Sequence, residues 1–366
     1  MVNMDKPQVV VIINPHAGTH GKDKLATMID ARLDEAGMTH ETITTRHAGH
    51  AEEIARQYAG SADRIIAVGG DGTVNEVGRA LIGSQTALAI IPCGSGNGLA
   101  RDLQIPMRKE AAIRTAIIGD RRAIDHGMID GKPFFCTCGT GFDATVSMSF
   151  ANAGKRGFTT YMERALTELL NYAPTTYRLT ADDGATIETK AFLIACANAA
   201  QYGNNAFIAP QAAIDDGLMD VTIVEPFTPL DIPALVIQLF TKTIDKNSNI
   251  KTLRCKHLII ETDHDCPAHF DGDPVMLGKT IDISIVRRGL NVIVPTDKDI
   301  KKRMRYTISQ RYKMTIEDLL HCTEYIESLN NNIGKKIGDR NREVLEFIKR
   351  NKEELLASIQ RLANKR

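Results

Sequence analysis

Over residues 8 to about 125, short apolar runs alternate with polar stretches of helical period. Runs at 9–13, 42–45, 65–68 and 88–91 read as strands, and 22–36, 50–58 and 74–81 read as helices. That order predicts α/β architecture: a doubly wound, mostly parallel sheet with helices on both faces. From about residue 125 strand-like runs dominate, at 134–137, 177–180, 191–197, 219–224, 257–261 and 281–286. Helical stretches at 159–172 and 229–243 interrupt them, so a β-rich, sandwich-like second domain is expected. From about residue 297 the chain turns polar and helix-rich. The predicted domains are 1–125, 126–289 and a helical tail at 297–366, with 290–296 a candidate return to the first domain.

Ligands of open α/β sheets lie beyond the carboxyl ends of the strands. Three loops fall there: Asn14-Pro15-His16-Ala17-Gly18, Gly69-Gly70-Asp71-Gly72-Thr73-Val74-Asn75-Glu76 and Pro92-Cys93-Gly94-Ser95-Gly96-Asn97-Gly98. Glycines at such turns let backbone N–H groups close on a phosphate, and a helix start adds partial positive charge. Asp71 is an acid placed inside an anion site. It suits a Mg²⁺ carried by a polyphosphate or a proton taken from an attacking hydroxyl, and equally an ordinary helix N-cap. Three such loops following strands of one sheet converge in space on a phosphate-binding site.

The 366 residues carry 45 basic and 45 acidic side chains, so net charge gives no argument for nucleic acid. No apolar run reaches the roughly 18 residues of a membrane span. The first residues are polar, without a signal-peptide core, and the seven cysteines are scattered and odd in number, which argues against a disulfide framework. A cytoplasmic protein is expected. Cys136 and Cys138 should share one face of a strand as core residues, and His264, Cys266 and His269 match no zinc spacing. In the tail, Lys298, Lys301, Lys302, Arg303, Arg305, Arg311 and Lys313 form a basic cluster suited to peripheral contact with an anionic membrane. Leu345, Ile348, Leu355, Ile359 and Leu362, interrupted by Lys352, leave a docked helix and a homodimer seam both open.

The succession NPHAG, GGDGTVNEV and PCGSGNGLARDL resembles the diacylglycerol kinase catalytic-domain superfamily, which includes bacterial soluble lipid kinases and sphingosine kinases. Asp125-His126-Gly127, Gly139-Thr140-Gly141-Phe142-Asp143, the segment from Pro210 to Val221 and Phe270-Asp271-Gly272-Asp273 extend the likeness over residues 8 to 296. The resemblance implies ATP-dependent phosphorylation of a lipid hydroxyl, on diacylglycerol or a sphingoid base. It implies ATP contacts from Asn14, Pro15, His16, Ala17, Gly18, Thr45, Gly69, Gly70, Asp71, Gly72, Thr73, Asn75 and Ser95. It also implies a structural Mg²⁺ on the Asp216 carboxylate and the carbonyls of Ala213 and Leu218. Asp71 and Asp273 are the catalytic candidates. Bacterial members usually carry Asp-Gly-Glu where this chain has Asp271-Gly272-Asp273, one methylene shorter. Asp125 is a candidate support for the metal network and Asp143 a candidate contact to the lipid headgroup. A kinase of the NAD kinase type and a non-catalytic nucleotide or lipid sensor are the alternatives.

Overall fold

The computed structural model describes residues 8–18, 22–151, 168, 172–182, 184–228 and 231–299. The tail beyond residue 299 and nearly all of the predicted helix 159–172 lie outside the described residues.

Four parallel strands, β1 (Val9–Ile13), β2 (His40–Thr44), β3 (Arg64–Gly69) and β4 (Ala87–Pro92), stand in the order β2-β1-β3-β4. All five residues of β1 are buried. Its unbroken Val/Ile run reflects a strand covered on both faces rather than one. Helices α1 (Lys22–Glu35), α2 (His50–Tyr58), α3 (Asp71–Leu81), α4 (Gly98–Asp102) and α5 (Lys109–Ile118) supply the cover, through side chains such as Ile29, Leu33, Ile54, Val77, Leu81 and Ile113.

The chain then enters β5 (Asp120–Ile129), β6 (Lys132–Phe134) and β7 (Thr137–Gly141), followed by α6 (Phe142–Ala151). Next come β8 (Thr175–Ala181), β9 (Thr186–Ala191), β10 (Leu193–Ala197), β11 (Met219–Val224) and α7 (Ile232–Thr241). The last strands are β12 (Ile250–Cys255), β13 (His257–Glu261), β14 (Cys266–Phe270), β15 (Asp273–Leu277) and β16 (Thr280–Val294). The first sheet continues through β4-β16-β13-β8-β9, and β12-β11-β10-β7-β14-β15 forms a second, antiparallel sheet packed on its distal part. Ile129, Phe134, Tyr177, Leu179, Met219, Leu258 and Ile281 fill the space between the sheets.

The boundary expected near residue 125 falls in the middle of a strand. β5 pairs antiparallel with β16 on both sides of an irregularity between Val286 and Leu290, and Val292 of β16 pairs in parallel with Leu88. The two halves are therefore joined by two long shared strands, not a linker. The exposed start of β5, Asp120-Arg121-Arg122, hides it from an apolar-run search.

Two single strands read from the sequence are broken in the structure. Residues 134–137 divide between β6 and β7, because the N–H groups of Phe135, Cys136 and Thr137 turn to the Asp271 carboxylate instead of a neighbouring strand. Cys136 consequently packs in the N-terminal core and Cys138 between the two sheets, so they do not share a strand face as expected. Residues 191–197 break at Phe192.

Candidate active site

The loops after β1, β3 and β4 meet at one end of the parallel sheet. Asn14 leaves β1 with its N–H on the Val68 carbonyl (3.0 Å), its Nδ2 donating to Thr73 Oγ1 (2.9 Å) and its Oδ1 accepting from the His16 N–H (2.9 Å). Gly18 has φ +73°, and a Cβ there would lie 2.2 Å from the Cys93 carbonyl oxygen. A Cβ on Gly94 would fall 2.6 Å from the Gly70 Cα. Those close approaches require glycine and bring three runs of backbone N–H together. Thr45 is buried at the end of β2, its N–H on the Ile13 carbonyl (2.9 Å), and Ser95 is exposed on the outer side of the third loop.

Asp71 ties two of these loops. It is the first residue of α3, with Gly70 at the N-cap, so the N-cap role considered for it belongs to its neighbour. Its Oδ1 accepts from the Gly98 N–H (2.7 Å) and its Oδ2 from the Asn97 N–H (2.8 Å). Burial pushes its carboxyl up, while those N–H groups and the Arg101 charge pull it down. Asn97 holds the loop from within, in the left-handed region (φ 51°), accepting from the Gly94 N–H and donating to the Gly94 carbonyl. Arg101 Nε donates to the Gly96 carbonyl (2.9 Å).

Sequence reasoning missed Glu76. It reaches from α3 to the start of α2, where Oε1 accepts from the Gly49 N–H (2.9 Å) and Oε2 from the Ala51 N–H (3.1 Å). An acid five residues after Asp71 on one short helix was the available signal.

The late acidic motif turns between β14 and β15, and its two acids face different surroundings. Asp271, at φ +50°, accepts N–H bonds from Phe135 (2.7 Å), Cys136 (2.7 Å) and Thr137 (3.1 Å). Burial outweighs these donors and, with the Asp71 charge adding to it, pushes the carboxyl up to about 6. Asp273 is exposed, and its carboxylate lies 3.8 Å from Arg79 of α3. Arg79 is itself anchored by Glu52 (3.1 Å), so α3 touches both the phosphate loops and this hairpin.

The expected metal loop leads directly into β11. Asp216 Oδ1 accepts from the Leu218 N–H (3.0 Å), and Oδ2 pairs with Arg254, whose Nε also contacts Asp220 (3.2 Å). The carboxylate thus already faces positive charge. With the carbonyls of Ala213 and Leu218 it forms a set of hard oxygens that fits Mg²⁺, on condition that Arg254 yields its place. Asp125 supports this loop, accepting from the Gly217 N–H (2.6 Å), and Asp215 pairs with Arg122. His47, His50 and Glu53 offer a second, more exposed group near Thr45, with ligand atoms within 4.8 Å of one another. The loose cluster of His264, Cys266 and His269 is dispersed. Cys266 faces the intersheet core, His264 pairs with Asp263, and His269 turns to Asp143.

The sequence model of the diacylglycerol kinase catalytic domain matches residues 8–129, and that of the YegS C-terminal NAD kinase beta sandwich-like domain matches 136–294. A probable lipid kinase YegS-like of Chromohalobacter salexigens is 34% identical over 251 residues, covering 66% of this chain and 80% of its own. The lipid kinase YegS of Escherichia coli K12 is 31% identical over 276 residues, covering 72% and 89%. A crystal structure of a putative diacylglycerol kinase from Bacillus anthracis shares the fold, with a TM-score of 0.67 at 23% identity over 79% of this chain and 97% of that one.

Proposed function

The chain belongs to the YegS-like lipid kinases, built on the diacylglycerol kinase catalytic domain, and from that premise we propose that it transfers the γ-phosphoryl of ATP to a hydroxyl of a lipid alcohol. The observation that carries this reading is the convergence of three loops, locked by the Asn14–Thr73 bond and by Asp71 on Asn97 and Gly98. Backbone N–H groups at Gly18, at Gly70, Gly72 and Thr73 around the start of α3 and at Ser95 and Gly96 would spread the negative charge of the triphosphate, with Thr45 and Ser95 flanking the nucleotide. Little covalent chemistry is required of the protein in such a transfer; positioning and charge dominate.

Asp273 is the favoured proton acceptor. Its carboxylate is exposed and steered by Arg79, whereas both oxygens of Asp71 and of Asp271 are engaged with backbone N–H groups. The hydroxyl oxygen attacks the γ-phosphorus, its proton passes to Asp273, and ADP leaves. Asp71 holds the phosphate loops in register for that step. Mg²⁺ would be held by Asp216 and the carbonyls of Ala213 and Leu218, where it would supply positive charge that stiffens the loop beside Asp125.

Lipid acceptors reside in bilayers, and no helix among the described residues is long and apolar enough to cross one. Peripheral contact through the basic cluster at residues 298–313 fits that need.

The decisive experiment is transfer of labelled phosphate from ATP to a total lipid extract, with the product identified by mass. A phosphorylated lipid that disappears in Asp273→Asn supports the reading. ATP binding without any labelled lipid would replace it with the sensor reading, and labelled NAD would replace it with a small-molecule kinase.

A further inference from the structure

Phosphoryl transfer leaves unused a group of metal-ligating side chains at the start of α2. His47, His50 and Glu53 follow one another at three-residue spacing across the beginning of that helix. His50 and Glu53 lie about one turn apart on α2 and share a face. Gly49, in the left-handed region (φ 84°), folds residue 47 back toward that face. The His50 N–H reaches the His47 carbonyl (3.3 Å), and the two rings stack with 4.8 Å between centroids and 26° between planes. One ligand atom from each of the three side chains lies within 4.8 Å of the other two.

Backbone partners fix both imidazoles. His47 Nδ1–H donates to the Ala48 carbonyl (3.0 Å), so the lone pair of the neutral ring is on Nε2, which has no hydrogen-bond partner among the described residues. His50 Nδ1 accepts from the exposed Arg46 N–H (3.0 Å) and therefore carries that ring's lone pair. The Glu53 carboxylate makes no ion pair or hydrogen bond among the described residues, whereas its neighbour Glu52 is paired with both Arg56 and Arg79. Two neutral nitrogens and one free carboxylate thus converge, with His47 and Glu53 open to solvent.

The donor set decides which cation fits. Mg²⁺ and Ca²⁺ take oxygen ligands, as the Asp216 loop offers, whereas imidazole suits Zn²⁺, Cu²⁺ and Ni²⁺. Zn²⁺ binds nitrogen and oxygen at about 2.0–2.2 Å, which sets tetrahedral donor atoms about 3.3 Å apart. Small rotations of surface side chains close the remaining gap. His50 Nδ1 exchanges the Arg46 N–H for the ion, and that exposed N–H turns to water. We propose that His47 Nε2, His50 Nδ1 and the Glu53 carboxylate bind a divalent ion of the zinc class, with water as the fourth ligand. The ion clips residue 47 to α2. The connection it closes carries Thr45, whose N–H bonds the Ile13 carbonyl (2.9 Å) at the end of β1.

The test titrates the full-length protein, free of any affinity tag and of nucleotide, with Zn²⁺ in excess Mg²⁺. The parent should bind one equivalent that raises its melting temperature. Both His47→Ala and Glu53→Gln should weaken that equivalent by at least about tenfold and remove the thermal shift. Both side chains are exposed, so these variants should melt like the metal-free parent. His264→Ala, which removes an exposed histidine from the turn between β13 and β14, should bind Zn²⁺ as the parent does. Co²⁺ in place of Zn²⁺ should give the visible absorption of a four-coordinate ion in the parent and not in His47→Ala. Failure of the parent to bind Zn²⁺ in excess Mg²⁺ would overturn the proposal, as would binding that His47→Ala and Glu53→Gln leave unchanged.

Discussion

Asp271 and Asp273 are two residues apart and stand in opposite surroundings, one buried against three N–H groups and the other exposed beside Arg79. The motif was legible in the sequence, but the difference in surroundings was not, because it depends on Phe135, Cys136 and Thr137, far away in the chain, presenting three N–H groups to one acid only. Asp273→Asn should reduce turnover by about 10² or more with the fold intact, as expected for loss of a positioned proton acceptor. Asp273→Glu should change turnover without abolishing it; activity of the asparagine variant near that of the parent would move the base elsewhere. For Asp271 the readout is stability. Its carboxyl is raised to about 6, so the unfolded chain releases this proton near pH 4 and the folded chain only near pH 6. The stabilisation is fully present below about pH 4 and is lost as pH rises through about 6, a change on the order of 3 kcal/mol. Urea unfolding from pH 4 to 7 should show that decline in the parent. In Asp271→Asn it should be missing from the slope, whatever the variant's overall stability.

Elements whose apolar runs are continuous or cleanly periodic were read to the residue: β1, β11 and β13 among strands and α2 among helices. Strands β12, β14 and β15 escaped, because sequences such as Cys266-Pro267-Ala268-His269-Phe270 mix polar and apolar positions that only the second sheet sorts. What fixes α2 was equally hidden. Its N-cap, Gly49, has no side chain to offer, and Glu76 of α3 supplies the missing acceptor for Gly49 and Ala51. A negative side chain at a helix start also meets the positive end of the helix dipole. Glu76→Ala should lower stability by about 1–2 kcal/mol in urea unfolding. The β2–α2 connection carries Thr45, so the same variant should raise the KM for ATP more than it lowers kcat. A variant as stable as the parent would mean that water replaces Glu76 without loss.

At the scale of the molecule, the phosphate loops stand on one half and Asp273 and the candidate metal loop on the other, so the proposed site needs the two halves in register. The convergence of loops followed from strand order, but the joint did not, since it is built by a bulge that no local pattern marks. Asp125 sits there, completely buried, with Oδ1 accepting from the Arg288 N–H (2.6 Å) and Oδ2 from the Gly217 N–H (2.6 Å). Arg288 is in the left-handed region (φ 51°) where β16 shifts register, and Gly217 follows Asp216 directly. Asn198 completes the joint, donating to the carbonyls of Asp125 (3.0 Å) and Phe135 (2.8 Å). One carboxylate therefore secures the bulge between the halves and the loop proposed to bind Mg²⁺. Asp125→Ala strands the buried Gly217 N–H, costing about 1–3 kcal/mol, and the part-buried Arg288 N–H, costing less, so stability should fall by roughly 2–4 kcal/mol. Asp125→Asn keeps one acceptor oxygen but turns an amide toward the other N–H, and it should be destabilised nearly as much. Mg²⁺ should raise the melting temperature of the parent more than that of Asp125→Ala, because Gly217 no longer holds Asp216 in place. An equal shift in both proteins would show that the metal loop keeps its shape without Asp125 and would confine this acid to the strand joint.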